Sequence, residues 1–180
     1  MKGPPGRPAL KIVLRPGRVS DLAALMTLEN AAFDFDMLSR RSLRHFLASR
    51  NASLIVAEQG GQFVGYVLVL YPPRSRLARL YSIAVAPRAR KRGLGPRLLA
   101  AAENAALRHH RRTMRLEVHE HNTRAIARYE KSGYRLFGRH RDYYSDRGDA
   151  LRFEKSLAKA RQHRVAVSAR AVLLPRANRL

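Results

Sequence analysis

The sequence predicts an α/β domain with mixed strand pairing, and three observations predict it. Apolar residues switch along the chain between the period of a strand and that of a helix, in the order strand, two helices, three strands, helix, strand, helix, two strands. The double glycine Gly60-Gly61 joins two β-rich runs, which requires an antiparallel hairpin. And 180 residues, 46% hydrophobic and 27% charged, suffice for one domain with a real core.

Each element follows from local chemistry. Lys11 to Arg15 reads as a short strand closed by Pro16-Gly17, and Ser20 is a suitable N-cap for a helix carrying Leu22, Leu25, Met26 and Leu28. A second helix is expected after Ser39, with Leu43, Phe46 and Leu47 at helical spacing. SLIVAEQGGQFVGYVLVL, residues 53–70, supplies the hairpin, and RLARLYSIAVAP supplies a strand stopped by Pro87. An alanine-rich helix is expected from Pro96 to about His109, then MRLEVHE returns to a strand. Asn122 caps a helix through Ala125, Ile126 and Tyr129 that ends at Ser132-Gly133, and strands Tyr134 to Gly138 and Ala150 to Leu157 complete the order. The domain is expected over residues 10–158. Residues 1–9, rich in Pro and Gly, read as a flexible arm, and 159–180 as a basic tail for which a weak amphipathic helix and disorder both stay open.

Composition excludes several classes of function. With no cysteine there is no disulfide, thiol nucleophile or thiolate metal site. The N-terminus has positive charge but no apolar run of signal-peptide length, and no stretch of about 18 apolar residues occurs, so a cytoplasmic protein without a membrane partner is expected. A net charge of +23 attracts polyanions, and it is unevenly spread. Residues 21–70 hold 4 basic and 5 acidic side chains, whereas 71–115 hold 12 basic and 1 acidic.

The centre of that field is Arg90-Lys91-Arg92-Gly93-Leu94-Gly95, between a strand and a helix. Glycines let the main chain approach a ligand, successive amides form a nest, and the helix adds its positive end, a construction suited to a pyrophosphate. A tight connection with a solvated basic rim is the alternative. The spacing is neither the dinucleotide fingerprint, which has a third glycine, nor a P-loop, which continues with Gly-Lys-Ser/Thr.

LYSIAVAP, RKRGLG with PRLLAAAE, and LEVHEHNTRAIARYEKSGY, in that order and at these separations, resemble the GNAT superfamily of acetyl-CoA-dependent N-acetyltransferases over about residues 11–157. LEV, the run from Asn122 to Glu130 and DYYSDRGDA are most similar to the subgroup that acetylates ribosomal-protein alanine N-termini. The resemblance implies a mixed, mostly antiparallel central sheet flanked by helices and splayed between its fourth and fifth strands. It implies that Ile83, Ala84 and Val85 line the pantetheine of acetyl-CoA through their main chain. Arg90, Lys91, Arg92, Gly93, Leu94 and Gly95 would hold the pyrophosphate. Pro96 departs from the pattern by removing one N–H, which neighbouring arginines would offset.

It also implies roles for side chains. Glu117 falls where the family places its general base, and burial there would lift its proton affinity toward a useful range. Tyr129 matches the tyrosine that bonds the cofactor sulfur and serves as general acid, and Asn122 lies near the cofactor while capping its helix. Without the resemblance, a glutamate in an alternating strand is ordinarily solvent-facing and a tyrosine at that spacing ordinarily core. His119 and His121 share a face if the strand persists, but no third ligand stands at a persuasive spacing, so no metal is expected.

Acceptor choice is expected in two acidic segments. Residues 29–39 hold Glu29, Asp34 and Asp36, and the last hairpin holds Asp142, Asp146 and Asp149, all of which would draw an ammonium unless they serve only as caps and turn formers. Tyr143 and Tyr144 would hydrogen-bond an inserted peptide, or simply pack the hairpin. The expected acceptor is a protein N-terminal α-amine. A lysine side chain, a polyamine or an amine antibiotic is the enzymatic alternative, and a basic ribosome- or RNA-binding module is the alternative of another class, although the aromatic-interleaved signatures of common RNA modules are lacking. The basic tail is expected to make at most nonspecific polyanion or ribosome contact. Nothing in the sequence bears on oligomeric state.

Overall fold

The computed structural model describes residues 11–33 and 36–157. The arm 1–9 and the tail 159–180 lie outside the described residues. Seven strands form one sheet: β1 (Ile12–Pro16), β2 (Ala52–Gln59), β3 (Gln62–Leu70), β4 (Leu77–Val85), β5 (Thr113–His119), β6 (Arg135–His140) and β7 (Ala150–Ser156). Their spatial order is β1-β2-β3-β4-β5-β7-β6. All neighbours are antiparallel except β4 and β5, which are joined by a crossover helix and pair in parallel. The helices are α1 (Leu22–Ala32), α2 (Arg40–Ala48), α3 (Leu94–Arg108) and α4 (Thr123–Lys131).

Period-two alternation sorts the strands' side chains into two cores. Leu54, Val56, Tyr66 and Leu68 point to one face and pack with Leu22, Leu25 and Leu28 of α1 and Leu43 of α2. Ala57, Val67, Val69, Met114 and Phe153 point to the other and pack with Leu94, Leu98 and Leu99 of α3 and Tyr129 of α4. Each buried leucine of this kind stabilises the fold by about 1.5–3 kcal/mol relative to exposure. β3, buried on both faces, therefore reads as the near-continuous apolar run VGYVLVL rather than as an alternation.

Three local readings shift. Ser20 does not cap α1; it lies in a 3-10 turn, Val19–Asp21, that precedes the helix, and Asp21 there binds the Arg15 guanidinium and the Arg18 N–H. Helix α3 begins at Leu94, not Pro96, because Gly93 adopts the left-handed conformation (φ 71°) that starts the helix two residues earlier. Pro96 is then the third helical residue, where its missing N–H breaks no intrahelical bond. β6 runs from Arg135 to His140, past Gly138, since Arg139 and His140 still pair with Leu151 and Ala150. Ser39 and Asn122 do cap their helices, accepting from the Ser42 and Ala125 N–H groups, both at 3.1 Å.

The splay has a visible cause. β4 pairs with β5 only from Leu77 to Arg79, opposite Thr113 to Arg115. Directly after, the β3–β4 register slips so that Leu68 faces Ser82 while Val69 faces Leu80, leaving Tyr81 as an inserted bulge residue. A bulge bends its strand and increases its twist, and here it turns β4 away from β5. No helix among the described residues is long and apolar enough to cross a membrane.

Candidate active site

The gap opened by the bulge is a cleft of about 860 Å³, well within the range of ligand sites. On its β4 wall, Ile83, Ala84 and Val85 hydrogen-bond to β3 on one side and have no strand partner on the side facing β5. That open edge offers main-chain donors and acceptors to an extended ligand lying between the strands.

At the mouth stands the basic turn. Arg90, Lys91, Gly93, Leu94 and Gly95 line the cleft, whereas Arg92 is exposed and does not. Lys91 (φ 64°) and Gly93 (φ 71°) are both left-handed, which curls the turn around the start of α3. The amides of Leu94 and Gly95 belong to the first helical turn and so point outward as unclaimed donors. A Cβ added at Gly95 would come within 3.1 Å of the Arg128 guanidinium, so α4 delivers a cation over the N-terminus of α3. Arg124 lines the same wall. Neither arginine was singled out from sequence; the signal was present as the i, i+4 spacing Arg124–Arg128 that puts both on one face of α4. Two free amides, a left-handed turn and clustered cations fit a pyrophosphate, and the open β4 edge fits the amide-bearing chain that follows it in acetyl-CoA.

Deeper, the splayed ends bring Glu117, Tyr129, Tyr143 and Tyr144 around one space. The Glu117 side chain is only 13% exposed, and its Oε2 accepts from Arg79 Nε at 2.8 Å. This carboxylate is thus buried beside a cation, a partner that its place in the strand does not reveal. Arg79 Nη2 also donates to Tyr143 Oη at 2.8 Å. Burial works against the Arg79 charge, but Glu117 and Tyr143 more than offset it, so the guanidinium holds its proton more firmly than usual. Arg79 went unnoticed in sequence because its partners lie 38 and 64 residues away. Tyr129 is buried, and desolvation pushes its phenol up to about 12. Tyr144 is raised as well, chiefly by burial and then by Tyr143.

The acidic segments divide. Glu29, 1% exposed, borders the cleft, but its carboxylate accepts from the Leu38 N–H at 2.7 Å and from the Tyr66 hydroxyl, which fixes the segment between α1 and α2. Asp149 accepts from the Asp142 N–H and pairs with Arg139, so it shapes the β6–β7 connection. Only Asp36 and Asp146 remain on the cleft wall among the described aspartates of these segments, and Asp34 lies outside the described residues. Asp36 Oδ2 accepts from Ser145 N–H at 3.4 Å, a bridge across the acceptor side of the cleft. Asp146 lies 3.0 Å from His119 Nε2 and is held below the usual carboxylate range, first by the Gly148 N–H and then by His119. With Nδ1 of His119 accepting from the His121 N–H, both ring nitrogens are engaged. No group of three metal-ligating side chains occurs among the described residues.

Residues 22–134 match the model of the Acetyltransferase (GNAT) family. The chain is 32% identical over 132 residues to an uncharacterized N-acetyltransferase, YhfO, of Bacillus subtilis, covering 67% of this chain and 88% of that one. Its structure is similar to that of the ribosomal-protein-S18-alanine N-acetyltransferase of Escherichia coli, with a TM-score of 0.75 and 25% identity over 85% of this chain and 98% of the other. It shares the fold, at a TM-score of 0.71 and 18% identity over 83% of this chain and 96% of the other, with yncA, a putative acetyltransferase of Salmonella typhimurium solved with acetyl-CoA.

Proposed function

Since the chain belongs to the GNAT family and is an acetyl-CoA-dependent acetyltransferase, we propose that its acceptor is the free α-amino group of a protein N-terminus, with Glu117 as general base and Tyr129 as general acid. The observation that carries the acceptor reading is the bridged pair of segments over the cleft, Asp36 to Ser145, with Tyr143 and Tyr144 beside it. Asp36 and Asp146 draw an ammonium into that space. Tyr143 Oη accepts from Arg79 and keeps its own O–H to donate to a peptide carbonyl behind the amine. The similarity to an enzyme named for acetylating a ribosomal-protein alanine supports the same choice.

Acetyl-CoA supplies an acyl group activated as a thioester. Ile83 to Val85 orient it along their free edge, and the Leu94 and Gly95 amides with Arg90, Lys91 and Arg128 hold its phosphates. Arg79 fixes Oε2 of Glu117, which leaves Oε1 to take the ammonium proton directly or through one water. Tyr129 keeps its proton at neutral pH. A phenol held near 12 acts on the developing thiolate chiefly by donating a hydrogen bond, since it binds its proton more tightly than an ordinary thiol and complete transfer runs uphill.

The two carboxylates Asp36 and Asp146 also suit a polyamine, so the test compares acceptors. Acetyl-CoA-dependent thiol release is measured with peptides whose N-terminus is free and lysines are blocked, with N-blocked peptides carrying a free lysine, and with spermidine. Turnover on the first set is expected. Turnover confined to the lysine peptides or to spermidine would overturn the acceptor while leaving the transferase intact.

A further inference from the structure

At the opposite end of β4 from the cleft, the turn before Leu77 meets the turn after α3. Arg112 N–H and Thr113 N–H donate to Arg76 O at 2.8 and 3.4 Å, and the Arg111 guanidinium donates to Ser75 O. These bonds gather Arg74, Arg76, Arg108, Arg111 and Arg112 on one surface, all exposed except the half-buried Arg111. None of the five forms an ion pair with a carboxylate among the described residues, and the one carboxylate of α3, Glu103, is engaged by Lys155 at 2.8 Å. Like charges gathered on one surface repel one another, and a bound anion relieves that repulsion.

We propose that this surface docks the phosphodiester backbone of RNA, independently of which amine the cleft accepts. Three features favour a nucleic acid over another polyanion. All five cations are arginine, whose planar fork matches phosphate oxygens. Arg111 carries a buried Nε with no hydrogen-bond partner. And His109 is exposed, stacked on Tyr71 at 4.1 Å and 18°, with its proton affinity lowered by burial and by Arg111 and Arg108, so it presents an uncharged ring at neutral pH on which a base can stack. The Leu157 N–H bonds Arg112 O at 2.8 Å, so the last described residue is tied to this surface, and the sequence after it, 158–180, holds six Lys or Arg and no acidic side chain. From Leu77 to Val85, β4 spans about 26 Å, and no residue of the patch lines the cleft. RNA held here leaves the active site open.

The test is fluorescence anisotropy of a 20-nucleotide polyuridine RNA with the full chain, saturating acetyl-CoA being present to occupy the basic turn of the cleft. The comparison is with a variant carrying Arg74→Gln, Arg76→Gln, Arg108→Gln and Arg112→Gln. These side chains are exposed, so an unchanged melting temperature is expected to show that the fold is kept. The salt slope of log K should fall by about 0.7 for each arginine removed, and affinity near 0.1 M salt by at least about tenfold. Undiminished affinity in the variant would overturn the proposal. So would a loss seen only on deleting 158–180, or wild-type binding to anionic vesicles that polyuridine does not displace.

Discussion

The wall proposed for the cofactor presents mainly main chain, with Arg90, Lys91 and Arg128 at its mouth, whereas the wall proposed for the acceptor presents side chains. The first side is the free edge of Ile83–Val85 and the amides opened by Gly93, all within a dozen residues of sequence. The second is a relay from Asp36 to Ser145 and from Tyr143 through Arg79 to Glu117, whose bonds join residues 109, 64 and 38 positions apart. A main-chain site depends on backbone conformation and tolerates exchange of side chains; a side-chain site depends on each partner and is where specificity resides. Damage on the two sides should therefore appear in different kinetic constants.

The largest separation is expected from Glu117→Gln. A glutamine still accepts from Arg79 Nε, so the relay stays in place and only the carboxylate proposed as base is lost. Turnover should fall by about 10²–10⁴-fold while acetyl-CoA affinity, read by calorimetry, stays within twofold. An unchanged kcat would remove Glu117 as the base and break the division at its centre.

Next in size is an effect of pH on the wall the two sides share. Tyr129 is neutral when folded, and its proton affinity rises from about 10 to about 12. The unfolded chain thus releases this proton first, so stability is full below about pH 10 and is lost as pH rises through 12. For Tyr129 alone the loss is about 2–3 kcal/mol. Tyr66, Tyr71, Tyr134 and Tyr144 are raised in the same direction, chiefly by burial, and steepen the loss. Denaturant titrations between pH 8 and 11.5 check it, and a flat profile would contradict the burial of Tyr129.

On the cofactor side, Gly93→Ala meets no steric obstacle, since a Cβ there has nothing within 4 Å. Its cost is the left-handed φ of 71°, about 1–2 kcal/mol for a residue with a side chain. The turn relaxes, its amides move, and KM for acetyl-CoA should rise about tenfold with kcat nearly constant. A change in the acceptor KM instead would show that the two sides are not separable.

The same contrast explains what was legible in the sequence. Glycine spacing, a proline stop, a capping asparagine and the strand around Glu117 are contiguous signals, and each marked its element; Ile83–Val85, Gly93–Gly95, Glu117 and Asn122 all line the cleft. The bulge at Tyr81 was not legible, because it exists only in the register of β3 against β4. Nor was Arg79, a residue in an alternating strand with distant partners, nor Arg128, whose role depends on how α4 crosses the start of α3. The acidic segments show the limit from the other direction. Charge count marked Glu29 and Asp149 together with Asp36 and Asp146, yet Glu29 is buried with its carboxylate on the Leu38 N–H and the Tyr66 hydroxyl, and Asp149, held by the Asp142 N–H and Arg139, does not line the cleft.

The smallest expected effect is the most discriminating, because it tests whether the acceptor side works as a connected unit. Arg79→Gln keeps a donor toward Glu117 but is too short to reach Tyr143 as well, and Tyr143→Phe removes the hydroxyl from the other end of the same bond. If each acts only locally, their effects on kcat/KM multiply. If the acceptor loop orients the base through Arg79, each single change should lower kcat/KM about fivefold, and the double variant should be little worse than either one. The coupling should be about 1 kcal/mol, within the range found for residues in one hydrogen-bonded network. Acetyl-CoA KM, governed by the main-chain side, should stay constant in all three variants; strict multiplicativity would show that Tyr143 and Glu117 each serve the acceptor alone.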